Sequence, residues 1–407
     1  MSKYRVIIRR LLWTVALITV YALGQQLPLP LIDQAHAADV LRQGAWWQIV
    51  GSLTGGSLDA ATLFSLGLAP YMTAMICWQV LAALDLPSIN RLSRRQNGYF
   101  QNGIALILAV GQAIAFAKPL APALVSYEIG RQDWAFAATV VMLVAGAMLT
   151  IFLGNLNVMH GFGGTLALIM PGMLVRLPQL LANGWGQTQY PLTPGHIVGA
   201  LLIVAVFLPL AICFYQAEVR LPIIRPLAPS PLVQGYVPLR LLGAGAMPFM
   251  FSTLLFTLPR WVVTKLGATE QSWGRLVLSW TAYTHWQGVL AYVLVVWLLG
   301  WGFAVINVQP WRQARQMKEA GDYFPSVRPG EATEHFLLKH VIALNLVANT
   351  VITIIAGLPL VIGLAIPGIA NFSPMIGNLF ILVTVGDNVS QQFLAVWNKD
   401  RYQLFDD

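Results

Sequence analysis

The chain has 407 residues, of which 57% are hydrophobic and 10% charged, with a net charge of +8 and a mean hydropathy of +0.66. A soluble domain carries roughly 25% charged residues, so this composition excludes one and defines a polytopic membrane protein. The basic residues crowd the ends of apolar segments, which points to membrane orientation and not to nucleic acid.

In chain order, Lys3, Arg5, Arg9 and Arg10 precede an apolar run to about Gln25, followed by PLPLID. About 20 apolar residues reach across a bilayer, and no small-residue cleavage pattern follows at once, so the run is predicted to be an uncleaved first span and not a signal peptide. Residues 30–54 read as an outer loop. The stretch from Gly55 to Leu84 cannot be one ordinary helix. Gly55 and Gly56, a short segment opened by Ser57 and Asp59, then Gly67 and Pro70, mark a half-helix that breaks and restarts. Interrupted helices at membrane depth survive only where the freed backbone is buried in protein or faces a water-filled cavity, so a cavity is implied. The second span leaves the membrane near Asp85, into a loop holding Arg91, Arg94 and Arg95.

Further spans are predicted at about 100–117, 134–153, 162–181, 197–217, 241–262, 286–307, 340–360 and 373–394, making ten. Pro171, Arg176 and Pro178 interrupt the fifth, and the uncharged window Val341–Gly386 must hold two spans and an apolar turn. Ten crossings put both termini on one side. Of the 24 lysines and arginines, 17 fall on that side and 7 on the other, which predicts cytoplasmic termini. Residues 218–240 and 309–339 are the cytoplasmic loops long enough to bind a partner. The chain reads as one membrane unit, 1–407, with approximate halves 1–190 and 191–407. A five-plus-five arrangement would fit the inverted repeats of transporters and channels, although no repeat is visible in the residues.

Chemistry is sparse. Ionisable residues inside spans cost about 2.5 to 3.5 kcal/mol on insertion scales and mark function, yet they are nearly missing here, with Asp387 the main exception and Asp59 a second. Asp387 is expected to pair with an Arg or reach towards water, and Asp59 to favour the N-terminus of its short helix. The six histidines show no HExxH spacing, so no metal site is predicted. Cys77 and Cys213 sit inside apolar runs and are expected to pack, without disulfide or metal. No GxSxG or Walker motif occurs. GFGG at 161–164 lacks a preceding strand and a following Lys, so close helix approach is the better reading. No catalytic residue and no cofactor is predicted, and the protein is not expected to be an enzyme.

The Gly55–Leu84 stretch resembles the SecY protein-translocation channel family, whose plug and following helix carry GGAL, F-A-L-G-I and P-Y-I in the same order and spacing. RRLLWTVALITVYALGQQLPLPLID resembles the family's opening helix, and LGNLNVMHGFGGTLALIM its L-G-E and G-I-G-N-G-I-S stretch. VPLRLLGAGAMPFMFS resembles the entrance to the seventh span, and RPGEAT the loop between the eighth and ninth. NLFILVTVGDNV is the loosest match. Several motifs in order are far more specific than any one. The departures matter as well. Asn155 replaces the family's acidic residue, Gly161 to Thr165 lacks its Asn, and Glu218–Arg240 is shorter and less basic. With few residues after the last span, the chain is most similar to the accessory SecY of some Gram-positive bacteria, associated with export of large serine-rich glycosylated adhesins through a dedicated second SecA.

The resemblance implies an all-α fold of ten spans in a five-plus-five clamshell with a re-entrant plug helix and a lateral gate between the second and seventh spans. The plug maps to Gly55, Gly56, Ser57, Leu58, Asp59, Ala60, Ala61, Thr62, Leu63, Phe64 and Ser65. An apolar pore ring, which passes a chain while solvating ions poorly, maps to Leu68, Met72, Leu166, Met170, Met250 and Phe380. Leu68 with Met72, and Leu166 with Met170, are four apart, as on one helical face, although such pairs are usually ordinary packing; methionine moulds to varied side chains. Loops contacting a motor map to Arg220, Arg225, Arg240, Arg328, Pro329, Gly330 and Glu331. Implied partners are a SecA-type ATPase, a SecE-type small membrane subunit, the bilayer and a secretory polypeptide with a signal sequence. Pro329 holds Arg328 extended and Gly330 permits a turn beyond it; a local salt bridge to Glu331 or Glu334 is the competing role. The alternative function is a secondary transporter of a small solute, which would need a midplane polar site built from Asp387 with scattered Asn and Ser. A membrane enzyme is disfavoured for want of an acid/base constellation.

Overall fold

Long runs that are apolar on every face, such as WQGVLAYVLVVWLLGWGFAVINV, cannot settle at a water-facing surface and form helices suited to lipid. The computed structural model describes residues 3–37, 61–83, 93–124, 132–183, 194–227, 234–265, 267, 270–366 and 369–398. Among them are twelve α-helices: α1 (Lys3–Gly24), α2 (Ala69–Ala83), α3 (Arg94–Leu120), α4 (Gln132–His160), α5 (Met170–Asn183), α6 (Pro194–Gln216), α7 (Met247–Lys265), α8 (Ser272–Thr281), α9 (Trp286–Val308), α10 (Pro310–Ala320), α11 (Glu331–Gly363) and α12 (Phe372–Trp397). Each of the ten windows predicted to span contains one. Among the described residues, six helices are long and apolar enough to cross a membrane by length and composition.

Local chemistry explains several boundaries. Ser93 caps α3 in a capping box with Gln96, satisfying two backbone donors reciprocally. Pro310 opens α10 directly after α9, where its missing N–H costs nothing. Glu331 and Glu334 occupy the first turn of α11, where negative charge meets the helix dipole favourably.

Residues 218–240 hold a two-stranded antiparallel hairpin, β1 (Glu218–Ile224) with β2 (Gln234–Arg240), in the register Glu218↔Arg240 to Ile224↔Gln234. The Pro-rich composition had concealed it. Pro222 and Pro238 lack a ladder donor but are tolerated because each strand of a two-stranded ribbon has a free edge.

The chain divides into two compact units, Met1–Leu180 with Val385–Asp407, and Leu181–Thr384. In the first, buried Ala109, Ala113 and Ala117 on one face of α3 let it approach Leu143 and Ala147 of α4, small residues being what helices need to approach closely in lipid. In the second, polar groups bind α11 to α9. Asn349 donates to the Trp297 carbonyl at 2.7 Å, Asn345 donates to the Gly300 carbonyl at 3.2 Å, and Trp297 Nε1 donates to Thr350 at 3.1 Å. Cys77 and Cys213, expected to pack inside, are instead exposed. In lipid an apolar side chain gains nothing by turning inwards, so an apolar run does not mark a core position.

Candidate functional site

In the first unit, residues 61–68 form successive turns ahead of α2. Gly55 to Ala60, the earlier part of the predicted plug, lie outside the described residues. The turn segment is anchored on both sides. Thr62 bridges to Pro28, Leu29 N–H donates to the Ala61 carbonyl at 3.0 Å, and Leu63 N–H donates to the Leu27 carbonyl at 3.0 Å. Thr62 N–H donates to Ser65 Oγ at 2.8 Å, and Phe64 stacks on Tyr21 of α1 at 5.8 Å. Thr150 of α4 donates to the Gly67 carbonyl at 3.0 Å, while Gly146 lies so close to the Leu63 carbonyl that a Cβ would collide with it. Gly146 and Thr150 fall in the interior of a 29-residue helix, so this irregular backbone lies at membrane depth. Pro70 sits in the first turn of α2, Leu68 and Met72 are buried, and Met72 N–H donates to the Leu68 carbonyl at 2.9 Å, so the predicted helical spacing of this pair holds.

The GFGG stretch, also in the first unit, is a bonded junction. Asn157, fully buried, donates to the carbonyls of Phe162 at 2.9 Å and Gly164 at 2.7 Å. Phe162 N–H donates to Thr14 of α1 at 2.8 Å, and Gly163 N–H to Gln392 of α12 at 2.8 Å. Gly163 has φ 77°, and a Cβ there would meet Val389, so glycine serves both backbone and packing. The predicted pairing of Leu166 with Met170 on one helical face does not hold. Leu166 lies in a 3₁₀ turn, Thr165–Leu168, and Met170 opens α5, and the tighter winding of the 3₁₀ turn breaks the 3.6-residue phase. The family resemblance had drawn attention to Asn155; the residue bonding this junction is Asn157. Asn157→Ala is expected to lower stability in detergent by roughly 1–3 kcal/mol, the cost of leaving buried carbonyls unsatisfied, whereas Asn155→Ala stays near the parent. Equal denaturation midpoints for the two variants would refute this role.

In the second unit, the seventh span begins later than predicted. Residues 241–246 are turns, with Gly245 at φ 59°, and Asn307 of α9 donates to the Gly243 carbonyl at 3.0 Å. Met250 is half-buried in the first turn of α7. Phe380 is buried and meets Phe249 edge-on at 5.6 Å and Tyr215 at 6.4 Å.

The two basic loops, both in this unit, are joined. Ile224 at the end of β1 exchanges backbone hydrogen bonds with Tyr323, at 2.9 and 3.1 Å, and Arg225 pairs with Asp322 at 3.5 Å. Arg220 pairs with Glu218 at 2.9 Å and lies over the Tyr236 ring at 4.9 Å. The Glu218 hydrogen bond, then attraction to Tyr236 and Glu218, raises the Arg220 pKa above its ordinary value. Arg240 lies over Tyr215 at 5.2 Å. Leu221 and Ile223 are buried while Pro222 between them is exposed, the period-2 signal that could have found the hairpin. Arg328 differs from these. Its side chain is exposed, its carbonyl accepts from Thr333 at 3.0 Å, and among the described residues no carboxylate pairs with it. Pro329 is exposed beside it, Gly330 has φ 110°, and Glu331 opens α11.

Asp387 is buried and accepts from Gln391 at 2.6 Å. No group of His, Cys, Asp and Glu among the described residues could hold a metal ion. What the described residues offer is buried apolar side chains beside irregular backbone and a basic platform.

A solved structure concerned with how the plug domain of SecY stabilises the closed state of the translocation channel shares this fold, with a TM-score of 0.60 and 16% identity, covering 98% of this chain and 95% of the other. The fold is therefore that of a multi-pass protein-conducting channel. The SecY family model matches residues 62–389, and the chain belongs to the SecY family. It is 28% identical to an accessory Sec system translocase subunit SecY2 of Leuconostoc gelidum subsp. gasicomitatum, over 98% of this chain and 97% of that protein. It is also 28% identical to an accessory SecY2 of Streptococcus salivarius, over 98% of each chain.

Proposed function

We propose that this chain is the pore subunit of an accessory protein-export translocase, conducting unfolded polypeptides with signal sequences across the cytoplasmic membrane. The observation that carries the reading is the irregular segment 61–68, wedged beside the interior of α4 at the head of α2. Backbone of this kind is retained at membrane depth where it is buried in protein or serves a cavity. The plug is assigned to Gly55–Ser65; in the related SecY, the plug domain is described as maintaining a membrane seal. Both termini are assigned to the cytoplasm from the division of 17 basic residues against 7. Residues 1–190 and 191–407 are taken as the two halves.

The channel supplies no energy. A SecA-type ATPase, here a dedicated accessory one, is assigned to the platform formed by the hairpin and residues 322–330, and a SecE-type subunit to the outside of the bundle. Serine-rich glycosylated adhesins are the proposed cargo, which the resemblance to the accessory SecY implies. Purification from native membranes after mild crosslinking tests the reading. A SecA-type ATPase and a stalled secretory chain should come with the protein; reconstituted solute uptake needing neither would replace it with the transporter.

The ring is assigned to Leu68, Met72, Leu166, Met170, Met250 and Phe380. Met72 and Met250 each lie in the first turn of a helix that follows irregular backbone. Replacing both with Asn hydrates a dry constriction and lowers the cost of opening. Secretion of a cargo with a weakened signal should rise clearly above the parental level. A correctly inserted double variant with unchanged selectivity would remove these residues from the ring.

A further inference from the structure

Helix α8, Ser272–Thr281, stands between α7 and α9 and has three distinct faces. Gly274 and Thr281 are buried, and the helix packs against both neighbours. Ser272, Arg275 and Ser279 make a polar arc. Trp273, Leu276 and Trp280, three and four residues apart, fall within about 60° of one another at 3.6 residues per turn, and they are 46%, 61% and 43% exposed. An aqueous loop has no reason to display two indoles and a leucine on one face. The boundary between lipid headgroups and acyl chains does, because it accepts the apolar body of an indole beside its polar N–H.

Trp286 and Leu290 of α9 and Leu255 and Val262 of α7 are also exposed, so both spans that α8 packs against present apolar side chains suited to lipid. Span alternation places α8 on the membrane side opposite the β1–β2 hairpin. We infer that α8 lies in the headgroup boundary of that leaflet, its stripe covered by phospholipid, and fixes the depth of the C-terminal part of α7. The link is stiff. Tyr283, just after α8, stacks on Phe256 of α7 at 5.4 Å and meets Tyr292 of α9 at 5.6 Å, so a shift of α8 is passed to both spans. The inference rests on the membrane-spanning fold and not on what the pore carries, so it can fail while the export reading stands.

The test uses the full chain with Cys77→Ala and Cys213→Ala, in vesicles of phosphatidylethanolamine and phosphatidylglycerol. Single nitroxide labels are placed at Leu276→Cys and, separately, Arg275→Cys; Trp280→Cys replaces the first if it does not fold. Relaxation by oxygen, which partitions into lipid, is compared with relaxation by a water-soluble nickel chelate. The oxygen-to-nickel ratio should be several-fold higher on the stripe than at position 275. Equal nickel access at both positions would place α8 in water, and shielding of the stripe label from both reagents would mean protein covers it; either result overturns the inference.

Discussion

Arg328→Glu is expected to lower ATP-driven export per inserted channel about tenfold or more, the scale of losing ~1.4 kcal/mol or more from a charged contact, while channel abundance should stay at the parental level. The argument runs through what each basic residue already does. Arg220 and Arg225 are held by Glu218 and Asp322, and Arg240 covers Tyr215, so these side chains brace the platform they belong to. Arg328 is exposed, with its backbone tied by Thr333 and no carboxylate pairing its guanidinium among the described residues. The brace to Glu331 or Glu334 is not formed. A planar guanidinium on a constrained loop suits a carboxylate or carbonyl of a partner, and Lys reproduces that fork poorly. Arg328→Lys should therefore recover only part of the loss. Export is measured in inverted vesicles and normalised to inserted channel; a parental per-channel rate for the Glu variant would end the motor-contact assignment.

The contrast within the platform gives a milder companion expectation. Asp322→Ala frees Arg225 and removes a half-exposed ion pair worth about 0–1 kcal/mol, so abundance should hardly change. The Ile224–Tyr323 backbone bonds keep the two loops together without it. Limited proteolysis of the 218–240 region reads this directly, and rapid cleavage in the variant would show that the ion pair carries the junction.

The spans were legible because lipid sets their length and polarity: each of the ten apolar windows contains a helix, and the break before α2 was marked by Gly67 and Pro70. Features decided by bonding between segments were not. Nothing in GNLNVMHGFGG says that Asn157 and not Asn155 reaches two carbonyls, because that depends on how the chain turns after His160. Leu166 and Met170 looked like a helical pair until the 3₁₀ turn intervened, a choice set by Gly163 and Gly164 at positive φ. The hairpin was hidden by Pro222 and Pro238, residues that argue against a strand wherever both edges are paired. The α8 stripe of Trp273, Leu276 and Trp280 was present in the sequence but fell between spans, where an outer loop had been expected.

Deleting Gly55 to Ala60 is expected to make resting channels leak ions in bursts in planar bilayers, because the proposed apolar ring would lose cover while neighbouring residues intermittently take its place. The deletion stops at Ala60 for a structural reason. Ala61 and Leu63 pair with Leu29 and Leu27, and Phe64 stacks on Tyr21, so removing residues through Ser65 would also excise a buried anchor of the first unit. Phe64 alone is 2% exposed, and truncating a buried Phe typically costs about 3–5 kcal/mol. A longer deletion would therefore mix a leak with misfolding. Phe64→Ala supplies the control: it should reduce abundance and denaturation midpoint, with the leak per surviving channel below that of the deletion. Conductance in the shorter deletion as quiet as the parent, with normal insertion, would show that Gly55–Ala60 does not seal the pore.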